Sequence, residues 1–224
     1  MTGNTVAVIV GVVIVVLFAV VYALVKLSVE KKRAQEVQAW AAQRGWSYLS
    51  DDPSLAQELS GVQFAKGRGH KALNVCSHGV GRSEEIFVDY RQVTQSKLSD
   101  DQGNKTTKST PYTIVGVRIP GGNPDVSVVP QGFKSRTVGQ LGRGRVKTGV
   151  PQFDRAFAVA TRSTEHAGRV FTPEVVAYCL QAPKVPWAIS GAWLITWTPG
   201  KTPPDQAVAS LPFLQGLSLL LPAA

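Results

Sequence analysis

Cys76 and His78 are two positions apart, and side chains with that spacing lie on the same face of a β-strand. Together with His70 they are the best candidates for a metal site, because zinc binds cysteine and histidine. Zinc takes about four ligands, however, and no second pair with suitable spacing follows. The pattern favours a buried Cys76 beside an exposed His78, so we predict no metal ligand and no cofactor.

Two carboxylates, Asp89 and Asp154, lie beside aromatic residues in runs that resemble strands, where either could act as a general base. The chain has three histidines: His70, His78 and His166. Nucleophilic catalysis needs a base beside the nucleophile, and no G-x-S-x-G turn is present to orient a serine. We therefore predict no catalytic residue and expect each carboxylate to accept from a backbone N–H or an arginine, such as Arg155. The alternative is a hydrolase that uses Asp89 or His78.

A basic, glycine-rich stretch at 139–149 (GQLGRGRVKTG) is the one segment that suggests phosphate binding. A Walker A loop requires glycine directly before Lys-Thr, so that the backbone can wrap the phosphates. Here Lys147 and Thr148 follow Val146, and the motif is not met. A basic loop that contacts an anionic ligand or lipid headgroups is one interpretation, and a solvated run of charge is the other.

The element that positions everything else is an uncharged stretch from Thr5 to Val25. An apolar run of about 20 residues spans the roughly 30 Å hydrocarbon core of a bilayer as a helix. A cleaved signal peptide would have a basic leader and a shorter apolar core, and a buried helix of a soluble domain is seldom apolar on all sides. The sequence predicts a transmembrane helix at 5–27 after a short tail at 1–4.

The flanking charges predict the orientation of this helix. Lys26, Lys31, Lys32 and Arg33 follow the apolar stretch, with Glu30 among them. The positive-inside rule then places the rest of the chain in the cytoplasm. These four basic residues are our candidates for contact with lipid headgroups. The competing interpretation, a domain outside the cytoplasm, would require cleavage of the apolar stretch as a signal.

Composition limits what the rest of the chain can be. About 195 residues follow the apolar stretch, enough for one domain with a substantial core, which we place at 46–224. The formal net charge is +9, with 24 Lys+Arg against 15 Asp+Glu. Beside a membrane such a surplus attracts anionic headgroups; it also promotes solubility, and no nucleic-acid-binding motif accompanies it. The two cysteines, Cys76 and Cys179, fit a reduced pair better than a disulfide in the cytoplasm.

Periodicity and turn residues predict an α+β fold, a mostly antiparallel sheet packed against helices. A stalk helix at 28–45 presents Val29, Val37, Trp40 and Ala41 on one face. The later predicted helices are 53–59, 172–181 and 205–221; the predicted strands are 72–80, 86–93, 112–119, 126–129, 153–161, 187–189 and 193–197. Between them, the polar stretch 96–110 is predicted to be an exposed loop.

Several short motifs resemble a known family. They are Phe64 and Gly67 followed by Ala72-Leu73-Asn74-Val75, then Phe87-Val88-Asp89-Tyr90, the run Phe153 to Val159, and Trp187-Ala188-Ile189-Ser190-Gly191. The chain, over about 40–214, is similar to the uncharacterised single-pass membrane proteins of actinobacteria, which carry one α+β domain after an N-terminal anchor. The resemblance implies a bacterial cell-membrane location. It implies no activity, substrate or catalytic residue.

From these observations we predict a single-pass protein of the cell membrane, with a cytoplasmic domain that is a non-catalytic interaction or scaffolding module. Its expected partners are the lipid bilayer, through the N-terminal helix, and an unidentified protein. No nucleic-acid partner is expected. The alternative function is a membrane-anchored enzyme of the hydrolase type.

Overall fold

A computed structural model describes residues 3–64, 69–99, 105–121, 123–133, 145–161 and 168–222. The first element, α1, is a continuous helix of 41 residues, Gly3–Gln43. Of the described residues, one helical segment, Val13–Gln43, is long and apolar enough to cross a membrane, with a mean hydropathy of 2.3 in its most apolar window. That window is 0% buried against the rest of the protein. The apolar stretch and the stalk are therefore a single helix.

The described strands form one nine-stranded sheet, in the order β1-β2-β3-β4-β9-β8-β5-β7-β6. They are β1 Ser47–Asp51, β2 Gly69–His78, β3 Glu85–Ser99, β4 Lys105–Arg118, β5 Val126–Pro130, β6 Arg145–Val146, β7 Phe157–Thr161, β8 Trp187–Ser190 and β9 Trp193–Pro199. Every neighbouring pair is antiparallel. With the helices, this confirms the predicted α+β fold class.

Helices cover both faces of the sheet. After α1 they are α2 Pro53–Glu58, α3 Pro151–Ala156, α4 Pro173–Gln181, α5 Pro204–Val208 and α6 Leu211–Leu220, with 3-10 turns at Val62–Phe64 and Gly81–Ser83. One apolar core joins the end of α1 and helices α3 to α6 to one face. A second core packs α2 and Phe64 against the other face. The end of α1 thus lies inside the domain: Val37 and Ala41 are fully buried.

Most predicted elements are present. The hairpin of β2 and β3, the hairpin of β8 and β9 and the helix α4 lie where the sequence placed them. Helix α4 begins as predicted at Thr172, whose hydroxyl accepts from the backbone N–H of Val175 at 3.3 Å. The side chain of Asp52 caps α2 in the same way, accepting from the N–H groups of Ser54 and Leu55. Local capping chemistry therefore decided these helix starts.

Three predictions about elements need correction. The predicted strand 153–161 is helix α3 followed by β7, because Pro151 is suited to the first turn of a helix. The predicted final helix is two helices, α5 and α6, with Pro212 in the first turn of the second. The polar stretch 96–110 is strand wherever it is described, since β3 continues to Ser99 and β4 begins at Lys105. Its threonines suit an exposed strand, and polarity alone did not distinguish that strand from a loop.

Candidate functional site

The junction between α1 and the sheet contains a network of buried and partly buried polar side chains. Arg33, Val37, Trp40 and Ala41 are buried and follow the period of a helix, so that they form one stripe facing the sheet. Val29, which the sequence placed on this stripe, is 57% exposed. It precedes the part of α1 that meets the sheet, and the arginine lies where we expected only apolar contacts.

The guanidinium of Arg33 forms a bidentate ion pair with Asp89 on β3. Its Nε donates to Oδ2 and its Nη2 to Oδ1, each at 3.0 Å. Nη2 also donates to the carbonyl oxygen of Thr202 at 2.7 Å. The side chains of Arg33 and Asp89 are only 10% and 6% exposed. Two parallel hydrogen bonds of this kind fix the orientation of the two side chains as well as their distance. The position of α1 on the sheet is therefore fixed at this ion pair.

Asn74 on β2 completes the environment of Asp89. Its Nδ2 donates to Oδ2 of Asp89 at 2.9 Å, and its Oδ1 accepts from the hydroxyl of Tyr48 at 3.0 Å. The backbone of Asn74 has a φ of +48°, and it lies in a shift of the β2–β3 register between Leu73 and Cys76. Asparagine tolerates this left-handed conformation better than most residues. The irregularity turns its amide towards the carboxylate.

Further contacts continue along the helix on either side of this ion pair. Arg91 donates to Glu30 at 2.7 Å on the side of the apolar stretch. Trp40 packs on Phe87, with ring centroids 5.7 Å apart, and its indole N–H donates to Asp205 at 2.8 Å. Positions 30, 33 and 40 of α1 thus contact positions 91, 89 and 87 of β3 in turn. The helix and β3 therefore run in opposite directions.

Charge and burial make Cys76 unreactive in this region. Burial raises the pKa of the Cys76 thiol to about 12, and the negative charge of Asp89 acts in the same direction, while Arg33 offsets part of the rise. Burial also raises the pKa of the Tyr48 phenol, with further contributions from Cys76 and Asp89. A thiol nucleophile would need a lowered pKa.

The remaining chemical candidates are separated in the fold. His78 is exposed and stacks on Trp46, with ring centroids 5.6 Å apart. His70 is at the other end of β2, where its Nδ1 is 2.8 Å from the hydroxyl of Tyr90 and burial lowers its pKa. Cys76 is buried, as expected. In the described parts of the chain no three His, Cys, Asp or Glu side chains are grouped to hold a metal, and His166 lies outside them.

The two carboxylates have the kinds of partner that the sequence suggested. Asp154 accepts from the backbone N–H of Thr148 at 3.0 Å and from its hydroxyl at 2.9 Å. Asp89 accepts from an arginine, but from Arg33 instead of Arg155. Cys76 and Cys179 are both free and buried. Of the stretch 139–149, residues 139–144 lie outside the described part; Lys147 is exposed.

The four predicted headgroup contacts divide into two groups. Lys26, Lys31 and Lys32 are exposed on α1, between the apolar stretch and the junction. Arg33 points to the sheet and is occupied by Asp89 and Thr202. Headgroup contact therefore stays a prediction for the three lysines, and the arginine is a residue of the junction.

No family model and no curated protein matches this chain. Among solved structures it is similar to the crystal structure of the mycobacterial trehalose monomycolate transport factor A. The TM-score is 0.55 at 16% identity, over 85% of this chain and 97% of the other. The likeness is one of fold. Mycobacteria are actinobacteria, so the neighbour agrees with the actinobacterial resemblance of the sequence motifs.

Sequence reasoning did not identify the junction, although a signal was present. Arg33 lies four and seven positions before Val37 and Trp40, so it belongs to the apolar stripe of the stalk. Asp89 alternates with Phe87 and Arg91 on β3 and shares their face. A charged residue within the apolar stripe of the stalk indicates a buried partner of opposite charge, because an unpaired buried charge is costly.

Proposed function

We propose that this chain is a single-pass membrane protein whose cytoplasmic domain is a non-catalytic interaction or scaffolding module. In this proposal α1 is both the anchor and a part of the domain core. The domain then has a defined height and orientation above the bilayer. A flexible tether would provide neither.

The observation that carries the proposal is the buried ion pair between Arg33 and Asp89. Arg33 is eight residues beyond Val25, or about 12 Å along a helix. The Glu30–Arg91 contact lies nearer still, about 7 Å beyond Val25. Because both contacts lie on one unbroken helix, the sheet stands within about one or two Debye lengths of the bilayer surface. Lys26, Lys31 and Lys32 lie on the intervening two turns, about seven residues of helix, and can contact headgroups there.

The candidate catalytic groups support a non-catalytic role. Asp89 and Asp154 are held by structural partners, His70 by Tyr90, and the Cys76 thiol has a pKa raised to about 12. The fold neighbour is named as a transport factor. By analogy of fold we propose a protein partner in or at the membrane, where this module would position or stabilise that partner.

The orientation is tested by cysteine labelling of the full chain. Both native cysteines are buried, so the variant Val80→Cys, at a position 83% exposed, adds one accessible thiol. A membrane-impermeant maleimide should label this variant in inverted membrane vesicles and leave it unlabelled in intact cells. Labelling of intact cells would place the domain outside and overturn the proposed orientation.

The scaffolding role is tested by cross-linking in native membranes. A photo-reactive residue at Leu49, exposed on the edge strand β1, should give an adduct of one discrete mass, because edge strands offer unpaired backbone groups to partners. A ten-residue Gly-Ser insertion between Ser28 and Val29 should abolish this adduct, since the domain would lose its defined position. The same insertion before Gly3 is the matched control. An adduct unaffected by the first insertion would contradict the positioning role.

A further inference from the structure

The membrane-proximal end of the sheet carries a row of basic residues from neighbouring strands. Lys71 on β2 is paired with Arg91 on β3, and Arg91 is paired with Pro111 on β4. The carbonyl oxygen of Pro111 accepts from the N–H of Gly200 at 2.9 Å, which brings Lys201 to the same row. Arg91 donates a hydrogen bond to Glu30 of α1. We define the basic end as Lys71, Lys108 and Lys201.

The direction of β3 carries this end towards the bilayer. Trp40, Arg33 and Glu30 contact Phe87, Asp89 and Arg91 of β3, in that order. Strand β3 therefore runs towards the apolar stretch of α1. Lys108 of β4 is paired with Thr94 of β3, three residues beyond Arg91, which is about 10 Å of strand. With a tilt of about 45° from the helix axis, this pair advances about 7 Å. From Glu30 to Val25 is also about 7 Å.

The part of the β3–β4 hairpin around Thr94 and Lys108 therefore lies at the level of the headgroups. Lys108 is exposed on it, opposite Thr94, and Lys97 and Lys105 fall within the same two strands. Its composition of lysine, threonine and serine suits a charged surface and does not suit the hydrocarbon interior. Lys71 and Lys201, also exposed, widen the positive surface on both sides.

Carboxylates at this end reduce its positive charge without cancelling it, since the sequence from 91 to 111 has four basic residues against two acidic ones. Glu30 is engaged by Arg91, and Asp52 accepts hydrogen bonds at the start of α2. Asp51 is exposed at the end of β1, and Asp100 and Asp101 lie outside the described residues. On α1 the exposed Lys26, Lys31 and Lys32 add positive charge between this end and the apolar stretch.

We propose that the described part of the β3–β4 hairpin around Lys108, together with Lys71 and Lys201, forms a second membrane contact, which binds the surface of an anionic bilayer. This inference rests on the proposed membrane anchoring by α1. The anchor alone fixes the domain relative to α1 but leaves the tilt of α1 within the bilayer free. A second contact, held at a fixed distance from the first by the Arg33–Asp89 ion pair, would restrict that tilt and set which face of the sheet is presented to a partner.

The test uses the full chain reconstituted into vesicles, with a fluorophore on Thr107→Cys in the hairpin. Vesicles contain a headgroup-attached nitroxide quencher in either neutral or 30% anionic lipid. We expect strong quenching in anionic vesicles, weak quenching in neutral ones, and loss of quenching at high salt. The fluorophore on Val80→Cys, near the opposite end of β2, is the position control and should stay unquenched in both.

Charge variants identify the residues responsible. Lys108→Gln should lower the ratio of bound to free hairpin about fivefold, which corresponds to about 1 kcal/mol for a basic residue near an anionic surface. Arg44→Gln removes the same charge at the far end of the stalk, about 16 Å beyond Arg33, and should leave quenching unchanged. Equal effects of the two substitutions would contradict a localised contact.

The outcomes separate this inference from the proposed anchoring. If alkaline carbonate extracts the chain from the vesicles, the proposed anchoring by α1 is wrong. The proposed second contact is then overturned as well, because it depends on the anchor. If the chain stays inserted while the Thr107 fluorophore is unquenched in anionic vesicles, the anchor stands and the hairpin contact is overturned. Equal quenching in neutral and anionic vesicles would also overturn it, because binding would then not depend on lipid charge.

Discussion

Asn74 and Arg33 donate to the same oxygen, Oδ2 of Asp89, from 2.9 and 3.0 Å. The two donors come from a strand and from the membrane-proximal helix, and the acceptor lies on a third element. A buried carboxylate is tolerated when it is paired and its oxygens accept hydrogen bonds. Here one carboxylate joins helix α1 to the two strands β2 and β3.

Removal of the arginine should destabilise the domain strongly. Arg33→Met leaves Asp89 buried without its cation, for which the expected loss in the free energy of unfolding is about 3–5 kcal/mol. Urea unfolding of the detergent-solubilised full chain, followed by tryptophan fluorescence, measures this loss.

Two variants serve as controls for that loss. Arg91→Met breaks the more exposed pair with Glu30 (side chains 23% and 36% exposed) and should cost about 0.2–1 kcal/mol. The double variant Arg33→Met with Asp89→Leu removes both charges and should recover most of the stability. A double variant no more stable than Arg33→Met alone would show that the loss came from packing and not from the uncompensated carboxylate.

Asn74 should be sensitive to both its backbone and its side chain. Asn74→Gly keeps the left-handed conformation and loses the hydrogen bonds to Asp89 and Tyr48, for an expected cost of about 1–3 kcal/mol. Asn74→Ala loses the same bonds and adds about 1 kcal/mol or more, because alanine is strained at positive φ. The difference in the free energy of unfolding between the two variants, measured by chemical denaturation, gives the cost of the backbone strain. An alanine variant as stable as the glycine variant would contradict the strain.

Alkaline pH should destabilise the domain through its buried thiols. The pKa values of Cys76 and Cys179 are raised from an ordinary value of 9.0 to about 12 by burial. Between about pH 9 and 12 the unfolded chain loses these protons while the folded chain keeps them, so stability falls as the pH rises. The buried phenol of Tyr90, with its raised pKa, acts in the same direction.

Thiol reactivity gives an independent measurement of this burial. A maleimide should modify neither cysteine of the folded chain at pH 7.5 and both after unfolding in urea. The double variant Cys76→Ala, Cys179→Ala should show a weaker decline in stability above pH 9. Rapid labelling of the folded protein would contradict the buried, high-pKa assignment.

Mildly acidic pH should lower the free energy of unfolding, and we expect His70 to be the group responsible. Burial lowers its pKa below the ordinary 6.5, so the unfolded chain takes up a proton before the folded chain does. Stability is then complete above about pH 6.5 and falls as the pH drops towards the folded-state pKa. His70→Gln should remove this slope between pH 6.5 and 5, and His78→Gln is the matched control. A slope unchanged in the first variant would assign the acid sensitivity to other groups.

The local sequence determined the elements that depend on interactions between residues close together in the chain. The apolar stretch before Lys26 follows from composition alone, and the start of α4 follows from Thr172 and Pro173, since capping acts within one turn. The alternation of apolar residues likewise predicted the paired strands around Asp89. These signals depend on neighbours only a few positions apart.

Only the tertiary structure decided that Arg33 belongs to the domain and not to the membrane surface. Its sequence neighbours are lysines, and its place on the stripe with Val37 and Trp40 indicates burial without identifying a partner, because Asp89 is 56 positions away. The left-handed Asn74 and the extension of β3 and β4 through a polar stretch were also decided by contacts across the sheet. A long-range ion pair and a strand register arise from the relative positions of elements, which periodicity within each element does not contain.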